Sequence, residues 1–505
     1  MATTTQASQQ TVCPNYINGQ WVESRSTQTL ERRNPADHHD LIGYAPLSSR
    51  EEVREAIEAA DRARALWRDT PAPARGKIVL RAARLLEEQK DDVARLLTRE
   101  EGKILSESMG EILRTVNIME YSAGEARRLT GETMPSELAN NFAYTLRQPL
   151  GVVGLITPWN FPVAVPVWKI APALVCGNTV VWKPSEVTPF TSRKVVEIFA
   201  AAGLPAGVLN MVHGRGEEAG DELVAHPSVR AISFTGSCEV GGIIYAKAAQ
   251  QMKKVQCEMG GKNPVVVLED ADLDLAADNT IAGAFGSTGQ RCTASSRVIV
   301  TEPVADRFVK MLVERANKLK VGNGAEPGIN VGPSVDEAQF NKVLAYIEIG
   351  KREGQLLCGG ERLRSTKSED GAHGDGYFIA PTIFDRVAPD ARIAQEEIFG
   401  PVLAIIRVKD FEEAISVANN VRFGLTASIF TTDSNRVFQA AERLECGMVH
   451  VNSPTVGGEA HVPFGGIKAT GIGERETGST AIDFYTELKV VYVDYTGRKR
   501  ESRIY

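Results

Sequence analysis

Leu150-Gly-Val-Val-Gly-Leu-Ile156, running straight into Thr157-Pro-Trp-Asn160, decides how this chain is read. A short apolar run ending in a polar tip suits a strand buried on both faces. The pattern recurs. Thr179-Val-Val-Trp182 precedes Lys183-Pro-Ser-Glu186, Val208-Leu-Asn-Met-Val212 precedes His213-Gly-Arg-Gly216, and Ala231-Ile-Ser-Phe234 precedes Thr235-Gly-Ser237. Helical segments are predicted between them, near 165–176, 190–202, 216–226 and 239–252. Such alternation implies an α/β fold with a parallel sheet covered by helices. Ligands of open parallel sheets sit at the carboxyl ends of the strands, so the polar tips belong to one rim.

Downstream, a second unit starts after Gly260-Gly261: a strand at Pro264–Leu268, a helix over 273–286, a strand at Arg297–Val300 and a helix over 303–319. The alternation resumes through about 450. Gly359 to Gly376 is polar and glycine-rich and reads as a surface loop. Phe142–Leu146 and Tyr485–Val493 read as further strands. Upstream, residues 1–15 are polar and expected to fray. Tyr16-Ile-Asn-Gly-Gln-Trp-Val22 carries a two-residue hairpin signal. Ser49-Arg-Glu-Glu52 has capping-box spacing, and Val53, Ile57, Ala60, Ala63 and Trp67 follow at helical intervals. Long helices over 75–100 and 104–128 read as scaffold.

A chain of 505 residues exceeds one ordinary core, so two or three domains are expected. With 43% hydrophobic and 24% charged residues it is a globular composition. A net charge of −7 offers no basic field for nucleic acid or anionic lipid. The seven cysteines form no CxxC pair, which argues against a zinc site or a disulfide framework and fits a reducing compartment. The amino terminus lacks a secretory pattern, and no apolar run approaches a membrane span. A cytoplasmic protein without nucleic-acid or membrane partners, and without a metal, is expected.

Chemistry gathers at three places. Cys292 lies in Gly286-Ser-Thr-Gly-Gln-Arg-Cys-Thr-Ala-Ser-Ser, a run of small polar residues that leaves a thiol accessible. Glu258 is followed by two glycines that permit close backbone approach. Asn160 sits at a strand tip. A nucleophile, a base and an oxyanion donor suit covalent chemistry at a carbonyl. Each also has a plainer reading. A lone cysteine is usually a small core hydrophobe, a lone glutamate a solvated charge, a lone asparagine a turn or cap. Lys183 and Glu186 could be a surface pair of little worth. Cys176 and Cys257 have weaker cases than Cys292.

Together the motifs resemble the aldehyde dehydrogenase superfamily, from about residue 15 to 495. They are Pro158-Trp-Asn-Phe-Pro162, Lys183-Pro-Ser-Glu186, Gly203-Leu-Pro-Ala-Gly207, Phe234-Thr-Gly-Ser237, Glu258-Met-Gly-Gly-Lys-Asn-Pro264, Gly289-Gln-Arg-Cys292, Glu396-Glu-Ile-Phe-Gly-Pro401 and Pro463-Phe-Gly-Gly466. The resemblance implies a Rossmann-type NAD-binding domain from 1–129 and 150–259, with 451–483 returning to it. It also implies an α/β catalytic domain over 260–450 and a small β oligomerisation extension from 130–149 and 484–505. A homodimer or homotetramer follows. Cys292 would be the nucleophile, Glu258 the base that activates a hydrolytic water, Asn160 the oxyanion donor, and Glu476 a proton-relay carboxylate. The cofactor would be held by Ile156, Thr157, Trp159, Lys183, Glu186, Gly216, Gly220, Phe234, Gly236, Ser237, Gln339, Glu397 and Phe399. Glu186 would favour NAD, with NADP as an alternative through Lys183.

The pocket walls implied are Phe161, Val165, Trp168, Arg291, Thr293 and Phe464. Arg291 is read either as functional, lowering the thiol's pKa or binding a distal carboxylate on the substrate, or as pairing with a structural carboxylate. Gly283–Val300 and Val451–Glu459 are similar to the α-ketoglutaric semialdehyde (2,5-dioxopentanoate) dehydrogenases. An acidic semialdehyde is therefore expected, although Glu459 would repel it if it faced inward. The alternatives are a broad aliphatic, aromatic or betaine-type aldehyde dehydrogenase, and a catalytically silent homologue.

Overall fold

The computed structural model describes residues 11–363 and 376–499. Residues 1–10 of the polar amino terminus, 364–375 of the glycine-rich stretch and 500–505 lie outside them.

The first sheet has eight strands. In order they are Gln20–Val22, Asn15–Ile17, Leu209–Met211, Thr179–Lys183, Val152–Ile156, Val229–Thr235, Lys254–Glu258 and Gly471–Ile472. The run from Leu209–Met211 to Lys254–Glu258 is parallel. From Val152–Ile156 the chain steps outward one way to Leu209–Met211, then returns to the other side at Val229–Thr235. That reversal opens a crevice beside the carboxyl end of Val152–Ile156. Alternate side chains of these strands enter two cores. Val153, Leu155, Val180 and Trp182 pack with Trp67, Leu86, Val93 and Met119, while Val152, Ile156, Val181 and Phe234 pack with Val53, Ile57 and Ile244.

The hairpin at the sheet edge pairs Tyr16 with Trp21. Its turn needs left-handed backbone at both positions, which Asn18 (φ 52°) and Gly19 (φ 80°) supply. Helix Arg50–Asp69 starts at the capping box. The Glu52 N–H donates to Ser49 Oγ (3.4 Å) and the Ser49 N–H to the Glu52 carboxylate (2.9 Å). The predicted stripe Val53, Ile57, Ala60, Ala63 and Trp67 is wholly buried.

Two local expectations are corrected, and one element was not foreseen. The helix read over 75–100 is two, Ala72–Glu88 and Lys90–Glu101, because Gln89 leaves helical geometry (φ −100°, ψ 11°). Leu86 and Val93 on either side still reach one core. The helix read over 216–226 begins as a wide π turn at Gly216–Gly220 before Asp221–Ala225. Finally, a ribbon of Thr29–Asn34 and Asp37–Pro46 had no expectation at all, because its charged residues hide the period of two.

The second sheet has seven strands in the order Gln355–Cys358, Thr382–Asp385, Val402–Val408, Ser295–Thr301, Asn263–Val267, Thr426–Phe430 and Met448–Val451. Only Gln355–Cys358 runs antiparallel. Val265 and Val267 enter one core and Val266 and Leu268 the other, as strand alternation requires. The chain passes from Glu258, last in its strand, to Asn263, first in the next. The carboxyl edge of the first sheet thus meets the amino edge of the second.

A separate antiparallel sheet joins Thr486–Asp494, Asn141–Pro149 and Thr133–Met134. Among the described residues no helix is long and apolar enough to cross a membrane.

Candidate active site

The seam between the sheets encloses a cavity of about 440 Å³. Cys292, Glu258 and Asn160 all line it, reaching it from three different elements. Glu258 ends the strand Lys254–Glu258, Asn160 lies in the loop after Val152–Ile156, and Cys292 precedes Ser295–Thr301.

The Cys292 loop is held in an unusual shape. Ser287 (φ 49°), Thr288 (φ 58°) and Gly289 (φ 69°) are left-handed in succession, a conformation that surroundings must enforce in non-glycine residues. The Val335 N–H donates to Gln290 Oε1 (3.0 Å) and Thr288 Oγ1 to the Gly332 carbonyl (3.0 Å). A Cβ at Gly289 would collide with the Gly400 carbonyl, so glycine lets this loop touch the Glu396–Pro401 segment. Asn263 Nδ2 donates to the carbonyls of Cys292 (2.8 Å) and Ala294 (2.9 Å). Burial pushes the Cys292 thiol up to about 12, reinforced by Glu258 and Glu397 and opposed by Arg114.

Asn160 donates one amide N–H to the Gln290 carbonyl (3.0 Å). An amide has two such donors, so one remains for the cavity. Its backbone is braced by a buried ion pair: Lys103 Nζ donates to Glu111 Oε2 (2.8 Å) and to the Asn160 carbonyl (2.6 Å). Glu111 Oε1 also accepts from the Val163 and Ala164 N–H groups (2.9 and 3.0 Å).

Glu258 is buried, and only one of its oxygens is engaged, by the Gly466 N–H at 3.3 Å. Burial and then the neighbouring Glu476 raise its pKa well above the ordinary carboxylate range. Gly465 (φ 147°) passes so close that a Cβ there would lie 2.7 Å from Glu258 Oε2. Glu476 is off the cavity wall. It is buried, ion-paired with Lys169, and bridged through its backbone to Phe464. Burial raises its carboxyl, with Lys169 opposing.

The other sequence candidates divide by position. Trp159, Gly236, Ser237, Gln339, Glu397 and Phe399 line the cavity, as do Phe161, Val165, Trp168, Arg291, Thr293 and Phe464. Ile156, Thr157, Lys183, Glu186, Gly216, Gly220 and Phe234 lie at or near the carboxyl rim of the first sheet, beside the cavity and off its wall. Lys183 Nζ pairs with Glu186 Oε2 at 2.8 Å. Burial alone would raise the Glu186 carboxyl, but Lys183 and Arg215 outweigh it and hold it low. Gln339 Nε2 donates to the Ile398 and Phe399 carbonyls (3.2 and 2.7 Å), shaping the loop in which Phe399 sits at φ 62° against Trp159. A Cβ at Gly260 would collide with the Glu397 carboxylate, which accepts from the Gly261 N–H (2.9 Å).

Of the two readings of Arg291, the geometry favours pairing. Its Nη2 donates to Glu107 Oε1 and its Nε to Ser287 Oγ, both at 2.8 Å. Glu459 is exposed, 3.6 Å from His461, and absent from the cavity wall, which removes the repulsion considered for it. The wall also contains Glu107, Gly110, Glu111 and Arg114, which the sequence reading passed over. Their spacing (i, i+3, i+4, i+7) marks one face of helix Leu105–Glu125, and three charges on that face were the available signal.

The model of the aldehyde dehydrogenase family matches residues 21–491. The chain is 46% identical to the alpha-ketoglutaric semialdehyde dehydrogenase of Bacillus subtilis strain 168, over 95% of this chain and 97% of that protein. It is 44% identical to the 2,5-dioxopentanoate dehydrogenase of Saccharolobus solfataricus, over 94% and 97%. Among solved structures, it superposes on betaine aldehyde dehydrogenase from Staphylococcus aureus in complex with NAD+. The TM-score is 0.92 at 35% identity, covering 97% of this chain and 96% of that one.

Proposed function

The chain belongs to the aldehyde dehydrogenase family of NAD(P)-dependent, aldehyde-oxidising enzymes, and on that premise we propose that its substrate is an acidic semialdehyde of the 2,5-dioxopentanoate type. One observation carries the chemistry: Cys292, Glu258 and Asn160, far apart in sequence, open into a single cavity of about 440 Å³. The acidic substrate is supported by the semialdehyde dehydrogenases at 44–46% identity.

The residues fit a dinucleotide. The strand-order reversal opens a crevice at the carboxyl rim. Among the described residues, none beyond the chain neighbours of Gly216 comes within 4 Å of a Cβ placed there, leaving room for close approach. Thr157, Lys183 and Glu186 would meet the adenosine ribose, and Gly216, Gly220 and Ser237 the phosphates. Trp159, Glu397 and Phe399 would border the nicotinamide. A low-pKa Glu186 favours ribose hydroxyls over a 2′-phosphate, hence NAD over NADP. Bound there, the nicotinamide supplies the hydride acceptor.

With Glu258 accepting the proton of the Cys292 thiol and passing it on, the sulfur bonds to the aldehyde carbon. The free amide N–H of Asn160 and the Cys292 backbone N–H hold the oxyanion. After hydride leaves carbon, Cys292 carries the acyl group as a thioester. Glu258 takes a proton from water, whose oxygen attacks the thioester carbonyl and releases the acid and the Cys292 sulfur. Glu476, with Lys169, would pass the proton onward.

In the domain arrangement we propose, the first sheet holds the cofactor and the second carries the nucleophile. The three-stranded sheet joins copies of the chain in a dimer or tetramer, and the cytoplasm suits its unpaired cysteines.

The test is kcat/KM for 2,5-dioxopentanoate, propanal, benzaldehyde and betaine aldehyde with both cofactors. We expect the acidic substrate to lead, and Asn160→Ala to cost about 100- to 1000-fold. A neutral aldehyde used equally well overturns the acidic-substrate reading.

A further inference from the structure

We propose that Arg114 recognises the distal carboxylate of the substrate, an assignment that rests on the acidic-substrate reading above. Arg114 lines the same cavity as Cys292. It projects from helix Leu105–Glu125 on the face shared with Glu107, Gly110 and Glu111. Both carboxylates of that face are bonded elsewhere, although Glu107 Oε2 is without a partner among the described residues. Glu107 accepts from Arg291 (2.8 Å) and from the Ser287 N–H (2.7 Å), and Glu111 from Lys103 and two backbone N–H groups. Arg114 has no ion pair or hydrogen bond among the described residues. Its Nε is sealed from solvent without an acceptor.

A sequestered cation is costly unless something compensates it. Its surroundings supply packing and, among the described residues, no anion in direct contact, Glu111 acting on it only through space. The guanidinium carbon lies 5.5 Å from the Trp168 ring centroid. On another side the backbone of Gly458 comes so close that a Cβ would lie 2.8 Å from Nη2. The one carboxylate on that loop, Glu459, turns to solvent. A guanidinium held by a ring and a glycine backbone keeps its planar fork for an incoming carboxylate, which it binds in bidentate fashion. The competing cations are worse placed. Arg291 is taken by Glu107, and Lys342 is exposed on the Gln339–Glu397 side. With the aldehyde carbon at the Cys292 sulfur, the carboxylate of the substrate's other end reaches Arg114 across the Trp168 and Phe464 wall.

Arg114 also lies within electrostatic reach of Cys292, so removing it slows every aldehyde through the thiol. That effect is common to all substrates and cancels in a ratio. The experiment therefore compares kcat/KM for 2,5-dioxopentanoate with kcat/KM for pentanal, using full-length wild type, Arg114→Gln, Arg114→Lys and Arg291→Gln with NAD. In the wild type the acidic substrate leads. In Arg114→Gln the ratio falls about 30-fold or more, mainly through KM, and the inhibition constant of the dicarboxylate product rises in parallel. Arg114→Lys retains charge without the fork and falls between, and it serves alone if the glutamine variant does not fold. A wild type without preference for the acid overturns the acidic-substrate reading and this assignment together. A wild-type preference that persists in the Arg114 variants, or that is lost in Arg291→Gln instead, overturns the assignment alone.

Discussion

Besides burial, charges act on the reactive sulfur in opposite directions, Glu258 and Glu397 against Arg114, and Glu258 is the most testable of them. Its negative charge raises the Cys292 pKa, but its own pKa is raised by burial and Glu476, so that charge appears at higher pH than on an ordinary carboxylate. In Glu258→Gln the charge is gone at every pH. Alkylation of Cys292 by iodoacetamide should then be unchanged near pH 6. Near pH 9 it should be faster than wild type by about three- to tenfold, since one pKa unit is a tenfold change in thiolate. Intact-mass kinetics would read this. Steady-state turnover of the same variant should fall by about 100- to 10,000-fold for want of the base. Cys292, Glu258 and Asn160 were legible because their short motifs are distinctive. The fate of Arg291 was not. Its partner Glu107 lies 184 positions away, and nothing local distinguishes an arginine facing a cavity from one tied to a distant carboxylate.

At the scale of the element, helix Leu105–Glu125 does more than cover the sheet. Its Glu111 joins Lys103 in a buried pair that holds the Asn160 carbonyl and caps the turn at Val163 and Ala164. Breaking such a pair leaves one charge buried and uncompensated, at a cost of about 3–5 kcal/mol. Glu111→Gln should therefore lower the urea midpoint clearly. Glu101, 3.9 Å from Lys103, keeps the loss toward the lower end. Loosening Asn160 should also reduce kcat more than it raises KM, and steady-state kinetics on the folded variant checks this. The sequence announced this helix as an amphipathic scaffold because one of its faces meets an apolar core through Ile112, Val116 and Met119. Its charged face resembles a solvated one in sequence, and the one-face spacing of its three charges was the sole hint otherwise. The parallel strands were clearer, since runs such as Val152–Ile156 are buried throughout and need no partner to be identified. The break at Gln89 left no such mark.

Across the whole molecule, the three-stranded sheet is the part without internal cover. Leu488, Val490 and Tyr492 are 60%, 49% and 70% exposed on one of its faces. Phe142, Leu146 and Val493 are exposed on the other. Apolar side chains on both faces of a narrow sheet call for a protein partner, and a second copy of the chain is the occupant proposed above. Val490→Asp combined with Tyr492→Asp should shift the mass in multi-angle light scattering from an oligomer toward the monomer. Unchanged mass, or a wild type that is already monomeric, rejects the proposal. The order of the two large sheets followed from alternating strands and helices. Their meeting edge to edge depends on the few residues between Glu258 and Asn263, which no periodicity describes.

That short link separates bond-making from choice of reactant. The groups that handle the carbonyl sit on or beside the two sheet edges that this link joins, whereas position 114 rides on helix Leu105–Glu125 at the side of the cavity. Exchanging that single side chain therefore redirects preference toward uncharged reactants at some loss of thiol reactivity, and laboratory selection for new aldehydes has an obvious place to begin.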